Sequence, residues 1–209
     1  MFTGLVEAVG RVAECKPTDR GARLRIATAL ASEITPGESL AVNGVCLTAI
    51  LAERGEFHAD VGPETLRVTT LGGFEPDTLV NLERPLRADS RFGGHFVQGH
   101  VDAIGHIEEL RADADFHWLT VSFPPALAPY IVLKGSIAID GISLTVAGLG
   151  TDRLDVMVLP FTREHTNLQS ARKRDRVNLE CDMIGKYVIA AVERAGLTLS
   201  PVKAGDRTH

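Results

Sequence analysis

His100, Ser143, Asp140 and Lys134 are the residues of this 209-residue chain whose types could carry chemistry and whose placement singles them out. Each stands at a position where an earlier, parallel stretch of the same chain holds something else: Leu5, Cys46, Asn43 and Gly37. A histidine on a glycine-flanked strand, absent from its counterpart, is a candidate proton shuttle near neutral pH. Lys134 is long enough to reach a ligand carbonyl or polyol, or simply to stay in water. Asp140 precedes a turn glycine, where aspartate is common, and is expected to support Ser143 or His100. Ser143 and Cys46 follow that turn in xGxSLT and xGxCLT. There a small polar side chain can satisfy a local backbone group. Thr48 and Thr145 are the same in both stretches. GxSxG is absent, so no Ser-His-Asp hydrolase is indicated. His95, His100 and His106 form H-x4-H-x5-H, but strand alternation scatters such residues over two faces, and no metal is expected. His58, His117 and His165 are read as structural or exposed.

The parallel stretches exist because the chain is written twice. Gly4, Val6, Ala8, Gly10 and Val12 recur as Gly99, Val101, Ala103, Gly105 and Ile107. LAVNGVCLTA (40–49) recurs as IAIDGISLTV (137–146), PETLRVTTL (63–71) meets PFTREHTNL (160–168), and VNLE at 80–83 returns at 177–180. A repeat of this length predicts two similar domains, each with its own core. Both copies read as short strands at turn-separated intervals, which suggests a small barrel or sandwich. In the first copy these are GLVEAVGRVAEC, alternating through Leu5, Glu7, Val9 and Arg11, then RLRIATAL, SLAVNGVCLTAIL, EFHADV and DTLVNLER. SEIT (32–35) and ETLRVTTL (64–71) are expected as short helices or turns. Gly44 and Gly141 mark a bulge or a hairpin turn. The expected domains are 1–92 and 93–185, joined around 87–95, with a helix and tail over 186–209. Val188, Ala191, Val192 and Ala195 give that helix an apolar stripe, which needs either a second subunit or the chain's own barrel to cover it. PVKAGDRTH (201–209) reads as a frayed end.

Composition narrows the function. A hydrophobic content of 44% with 23% charged residues suits a globular chain, and a net charge of −5 argues against nucleic-acid binding. The RKR run at 172–174 reads as a solvated turn. No stretch reaches the roughly 20 apolar residues of a membrane span, and the first residues lack a signal-peptide pattern, so a cytoplasmic location is expected. Cys15, Cys46 and Cys181 form neither a disulfide framework nor a CxxC pair and are expected as reduced thiols.

Six pieces, MFTGLVE, NGVCLTA, PETLRVTTLG, GGHFVQGHVD, KGSIAIDGISLTV and ECDMIGKYV, resemble the riboflavin synthase family of lumazine-binding repeat proteins, in the family's order from residue 1 to about 190. The resemblance implies an all-β fold: two homologous six-stranded Greek-key barrels in tandem, then a C-terminal helix through which three subunits associate. It implies that two molecules of 6,7-dimethyl-8-ribityllumazine dismutate by transfer of a four-carbon unit, giving riboflavin and 5-amino-6-(D-ribitylamino)uracil. No metal or redox cofactor takes part in the family. Two substrates are held per site, between the N-terminal barrel of one subunit and the C-terminal barrel of the next. Such a heterologous contact can close into a ring. Association with lumazine synthase is a further partner the resemblance leaves open.

The resemblance also assigns residues. His100, Ser143, Cys46, Asp140 and Thr145 are the expected catalytic set, with Ser143 and Cys46 against the pteridine ring as nucleophile or as hydrogen-bond partner to water adding at C7. A buried, inert Cys46 is the bland alternative. Expected ligand contacts in the first barrel are Gly4, Leu5, Val6, Cys46, Leu47, Thr48, Asp60, Val61, Gly62, Pro63, Glu64 and Thr65. Their counterparts in the second are Gly99, His100, Val101, Ser143, Leu144, Thr145, Met157, Val158, Leu159, Pro160, Phe161 and Thr162, with Lys134 beside them. The carry-over to Asp182 is weaker. Gly62 replaces a larger residue usual in the family, and Phe161 stands opposite the polar Glu64, so ligand fit is expected to change at both places. A lumazine- or flavin-binding antenna protein of the same fold is the competing reading, although such relatives lose the residues around CLT and SLT that are intact here.

Overall fold

The structure, a computed structural model, describes residues 1–197; the tail expected to fray, 201–209, lies outside the described residues. Alternating apolar residues fold the first copy into β1 (Ala8–Thr18), β2 (Gly21–Ala27), β3 (Ser39–Val42), β4 (Val45–Glu53), β5 (Glu56–Val61) and β6 (Leu79–Glu83). The second copy gives β7 (Ala103–Asp113), β8 (Phe116–Ser122), β9 (Ser136–Ile139), β10 (Ile142–Leu149), β11 (Arg153–Val158) and β12 (Arg176–Cys181). Each set closes into an antiparallel barrel, β1-β2-β5-β4-β3-β6 and β7-β8-β11-β10-β9-β12. The fold is all-β with two six-stranded barrels, as expected. Within each, three hairpin-linked strands are joined by a returning strand beside the first of them, which is the Greek-key order. Bulges fall at matched places, between Val12 and Glu14 in β1 and between Ile107 and Glu109 in β7.

Inward-facing side chains fill each barrel. Leu24, Ile26, Leu40, Phe57 and Leu82 are fully buried in the first, and Leu119, Ile137, Ile139, Leu154 and Leu179 in the second. Each such side chain contributes about 1.5–3 kcal/mol on burial. The segment after β5 forms α1 (Pro63–Val68) and a 3-10 turn, Thr70–Gly73; α2 (Pro160–Glu164) repeats it. Residues 29–33, overlapping the SEIT segment, form another 3-10 turn.

The two glycine turns are hairpin tips. Asn43 and Gly44 have φ of 44° and 74°, and Asp140 and Gly141 have 46° and 76°. Two successive positive φ angles make the primed turn that Asn-Gly and Asp-Gly favour. The tips meet, and a Cβ on either glycine would sit 2.7 Å from the other's amide nitrogen. Around this contact the repeats exchange hydrogen bonds reciprocally. The Asn81 side chain donates to the Asp140 carbonyl and the Asn178 side chain to the Asn43 carbonyl, both at 2.9 Å.

One expectation fails at the start of each copy. The alternation through Leu5 and Glu7 predicts a strand from residue 4, yet β1 begins at Ala8. Gly4 and Gly99 have φ of 77° and 83°, which turns the chain out of its own sheet. Phe2 then pairs with Val97 across the molecule, and both are buried in a seam with Ala41 and Ala138.

After β12 the chain forms α3 (Met183–Arg194), which packs on the 3-10 turn Pro125–Tyr130 and is tied to the segment before β7 by Lys186, whose Nζ lies 2.7 Å from Asp102. Its apolar stripe is left largely uncovered: Val188, Ala191 and Ala195 are exposed and Val192 is half-buried, with Ile184 and Tyr187 beside them more than half exposed. No helix among the described residues is long and apolar enough to cross a membrane.

Candidate functional site

The turned-out segments, residues 1–6 and 96–101, act as straps that cross to the other barrel. The Cys46 amide donates to the Gly99 carbonyl at 2.9 Å, and the Ser143 amide donates to the Gly4 carbonyl at 2.8 Å. Val101 packs against the first core and Val6 against the second. There is no room for a side chain at either crossing, since a Cβ on Gly99 would lie 2.5 Å from the Cys46 Cβ.

This exchange corrects the expected division of ligand contacts. Gly4, Leu5 and Val6 belong with Ser143 on the second barrel, and Gly99, His100 and Val101 with Cys46 on the first. It also divides the titratable groups. By sequence they concentrate in the second copy, but in space His100 serves the barrel of Cys46.

On the first barrel, Cys46 and Thr48 alternate outward along β4 while Leu47 and Ala49 point into the core. Ala49 pairs with Ala59, so this half of β4 runs toward the end of β5 and the start of α1. The structure thus brings Cys46, Thr48, Gly62, Pro63 and Thr65 to one face with the His100 strap. Asp60 and Glu64 are there too, each held by an arginine. Arg23 grips Asp60 at 2.8 and 3.0 Å, and Arg67 pairs with Glu64 at 2.6 Å, which keeps both carboxyls below their usual range. Nothing stands within 4 Å of where a Gly62 side chain would begin, consistent with the expected gap.

On the second barrel, Ser143 and Thr145 occupy the same places on β10 and run toward Met157–Thr162. Leu5, Met157, Leu159 and Phe161 stand 45–69% exposed around them. Phe161 stacks on His165, with ring centroids 3.9 Å apart. Leu47, Val61, Leu144 and Val158, expected as ligand contacts, are core residues, and only their backbones reach the pocket faces. Lys134 is exposed at a turn with φ of 67°.

Sequence reading set His95 aside, yet it is the partner of Ser143. Its Nδ1 lies 2.7 Å from the Ser143 Oγ, and its amide donates to the Thr3 carbonyl at 3.0 Å. The ring is buried, and its Nε2 has no hydrogen-bond partner within the described chain. Burial pushes the His95 pKa down, and the nearby Asp182 charge opposes that shift. A largely neutral imidazole on a hydroxyl can take or return a proton without carrying a permanent charge into the pocket. Asp182 also caps α3, accepting from the Ile184 amide at 3.0 Å.

Asp140 does not support Ser143 or His100. Its Oδ1 accepts from the Asn178 amide and its Oδ2 from the Asn167 side chain, both at 2.8 Å, in the seam between the barrels. Burial pushes its pKa up to about 7 against those two donors.

Two further acids escaped notice. Glu83 ends β6 and Glu180 is the last residue but one of β12; both are buried, and each accepts three hydrogen bonds from a strap. Burial raises both pKa values, and the strap donors partly offset it. The signal was present in VNLE, whose Asn and Glu recur unchanged inside apolar strands.

A family model, the lumazine binding domain, matches residues 3–85 and 98–182, one match per barrel and each beginning at a strap. The chain belongs to the lumazine-binding domain family. Family members among curated proteins include the riboflavin synthase of Mycobacterium tuberculosis, 45% identical over 94% of this chain and 100% of its own length. That of Actinobacillus pleuropneumoniae is 43% identical over 90% and 88%, and that of Bacillus subtilis 38% identical over 93% and 91%. The family fold is seen in crystals of LumP complexed with 6,7-dimethyl-8-(1'-D-ribityl) lumazine, with a TM-score of 0.79 and 21% identity over 86% of this chain and 98% of that one. LumP complexed with riboflavin gives a TM-score of 0.81 and 22% identity, over 87% and 99%.

Proposed function

We propose that this chain is a transferase that dismutates two molecules of 6,7-dimethyl-8-ribityllumazine into riboflavin and 5-amino-6-(D-ribitylamino)uracil. The two products together contain the atoms of two substrates, so no oxidant or second substrate enters. The observation that carries this reading is the pair of related but unlike pocket faces. One offers Cys46 and Thr48 under the His100 strap; the other offers Ser143 and Thr145 under the Leu5 strap, with His95 on the serine.

Like molecules can play unlike parts only if their surroundings differ. Thr48 and Thr145 give both ligands the same hydroxyl. The His95–Ser143 pair and His100 then supply proton transfer from different sides: the 7-methyl group of one lumazine loses a proton, and the carbanion attacks the other. Holding two rings together contributes up to about 7–11 kcal/mol of the barrier through lost encounter entropy.

Both faces are open in the single chain, with Leu5, Leu159 and Phe161 standing in solvent. We assign their closure to a homotrimer assembled through α3, in which the first barrel of one subunit faces the second barrel of its neighbour. A cytoplasmic location accords with this chemistry.

The test is incubation with the lumazine. Riboflavin and the pyrimidine should appear in equal amounts, and His100→Ala should lower turnover by roughly 100-fold. A stable fluorescent complex without riboflavin identifies a binding protein and sinks the enzymatic reading.

A further inference from the structure

Each strap ends in a fan of donors that closes on one carboxylate. Glu180 Oε1 accepts from the Gln98 amide at 2.6 Å, and its Oε2 from the Gly99 and His100 amides at 3.0 and 3.1 Å. Glu83 does the same for the other strap. Its Oε1 accepts from the Thr3 amide and hydroxyl at 2.6 and 2.7 Å, and its Oε2 from the Gly4 amide at 3.0 Å. Successive amides around a glycine of positive φ make an anion-binding concavity, and here the anion is a side chain of the same protein.

The positions are matched in the repeats, and both glutamates are buried at the ends of the strands that close the barrels. Glu180 holds the backbone of His100 itself and of Gly99, whose carbonyl then binds Cys46. Glu83 holds Thr3 and Gly4, whose carbonyls bind His95 and Ser143 respectively. The anchors therefore set the distance between the parts each copy lends the other.

We infer that Glu180 and Glu83 are positioning residues: Glu180 seats His100 against the Cys46 pocket, and Glu83 seats the other strap against the Ser143–His95 pair. Their part in turnover rests on the reaction proposed above; the seating itself does not. A carboxylate suits the task because it only accepts. A glutamine would turn an NH2 toward at least one of the three donors.

The experiment compares Glu180→Gln and Glu83→Gln with the unaltered protein in two readouts. The first is the rate of Cys46 alkylation by iodoacetamide, mapped by peptide mass. Freed of its anchor, the strap uncovers Cys46, so Glu180→Gln should speed alkylation by about tenfold or more. Glu83→Gln should leave that rate unchanged. The second is riboflavin formation, in which both variants should lose roughly 10- to 100-fold in kcat through misplacement of reacting groups. Equal alkylation rates in Glu180→Gln and the unaltered protein, or the same acceleration in Glu83→Gln, overturn the assignment.

Amide exchange in the unaltered protein covers the case of a variant that does not fold. Gly99 and His100 lie outside the strands, so they should be protected at neutral pH only if Glu180 holds them, and exchange at the open-chain rate overturns the seating. Absence of riboflavin from the unaltered protein would defeat the proposed reaction and leave the alkylation result standing.

Discussion

The Ser143 hydroxyl meets the His95 imidazole at 2.7 Å, although the two residues are 48 positions apart. Gly94 and His95 sit beside the first strap, and Ser143 begins the outward face of β10. The contact exists only because the strap carries the Thr3 carbonyl to the His95 amide and the Gly4 carbonyl to the Ser143 amide.

If that pair moves a proton as a unit, His95→Ala and Ser143→Ala should each lower kcat by roughly 100-fold or more, and the double variant should lose little beyond either. Lumazine binding should change only a few-fold. Steady-state riboflavin formation and a fluorescence titration check this; independent, multiplying losses would show that the two side chains act separately.

Glycine matters at the crossings and not at position 62. Gly99→Ala combines a positive φ with a Cβ 2.5 Å from the Cys46 Cβ, so it should cost about 2 kcal/mol or more in urea denaturation and lower turnover. Gly62→Ala, in open space at an ordinary φ of −71°, should be neutral or stabilise by about 0.4–1 kcal/mol. Equal losses would remove close packing as the reason for Gly99.

Asp140 gives a stability signature in pH. Its folded pKa is raised from 3.8 to about 7, so the folded state binds its proton more tightly than the unfolded chain. The resulting stability is full below about pH 4 and is lost as pH rises through about 7. Asp140→Asn should make the decline of Tm between those limits shallower. Glu83 and Glu180, also raised by burial, act with the same sign. Asp60, Glu64 and His95, lowered in the fold, act against it, so the comparison is the difference in slope between the variant and the unaltered protein. A slope identical to that of the unaltered protein would mean that Asp140 titrates normally.

The stripe on α3 should hold subunits together. Tyr187→Glu and Val188→Glu place charges on side chains that are 66% and 53% exposed in the single chain, so the fold should survive. Light scattering should then report a smaller species and turnover should fall with it, since each pocket face loses its neighbour. An unchanged mass would place the interface elsewhere.

Much of the fold was legible because its rules are local. Alternation marked the strands, Gly44 and Gly141 marked a bulge or a hairpin turn at matched places, and EFHADV is β5 to the residue. The repeat matched Cys46 with Ser143 and Thr48 with Thr145, and those pairs do share positions on β4 and β10. Outward alternation also separates Cys46 and Thr48 from Leu47, which should have warned against counting Leu47 and Leu144 as ligand contacts.

The sequence by itself determined that there are two similar β-domains and which residues correspond between them. Only the tertiary structure decided which copy each residue serves. A repeat alignment is blind to exchange, because Gly4 resembles Gly99 whether each strap stays on its own barrel or crosses to the other. The choice is made by contacts between residues about 40 to 140 positions apart, among them the glycine crossings at Cys46 and Ser143. Those contacts moved His100 to the first pocket, brought His95 to Ser143, and turned Asp140 from a supposed helper into part of the seam.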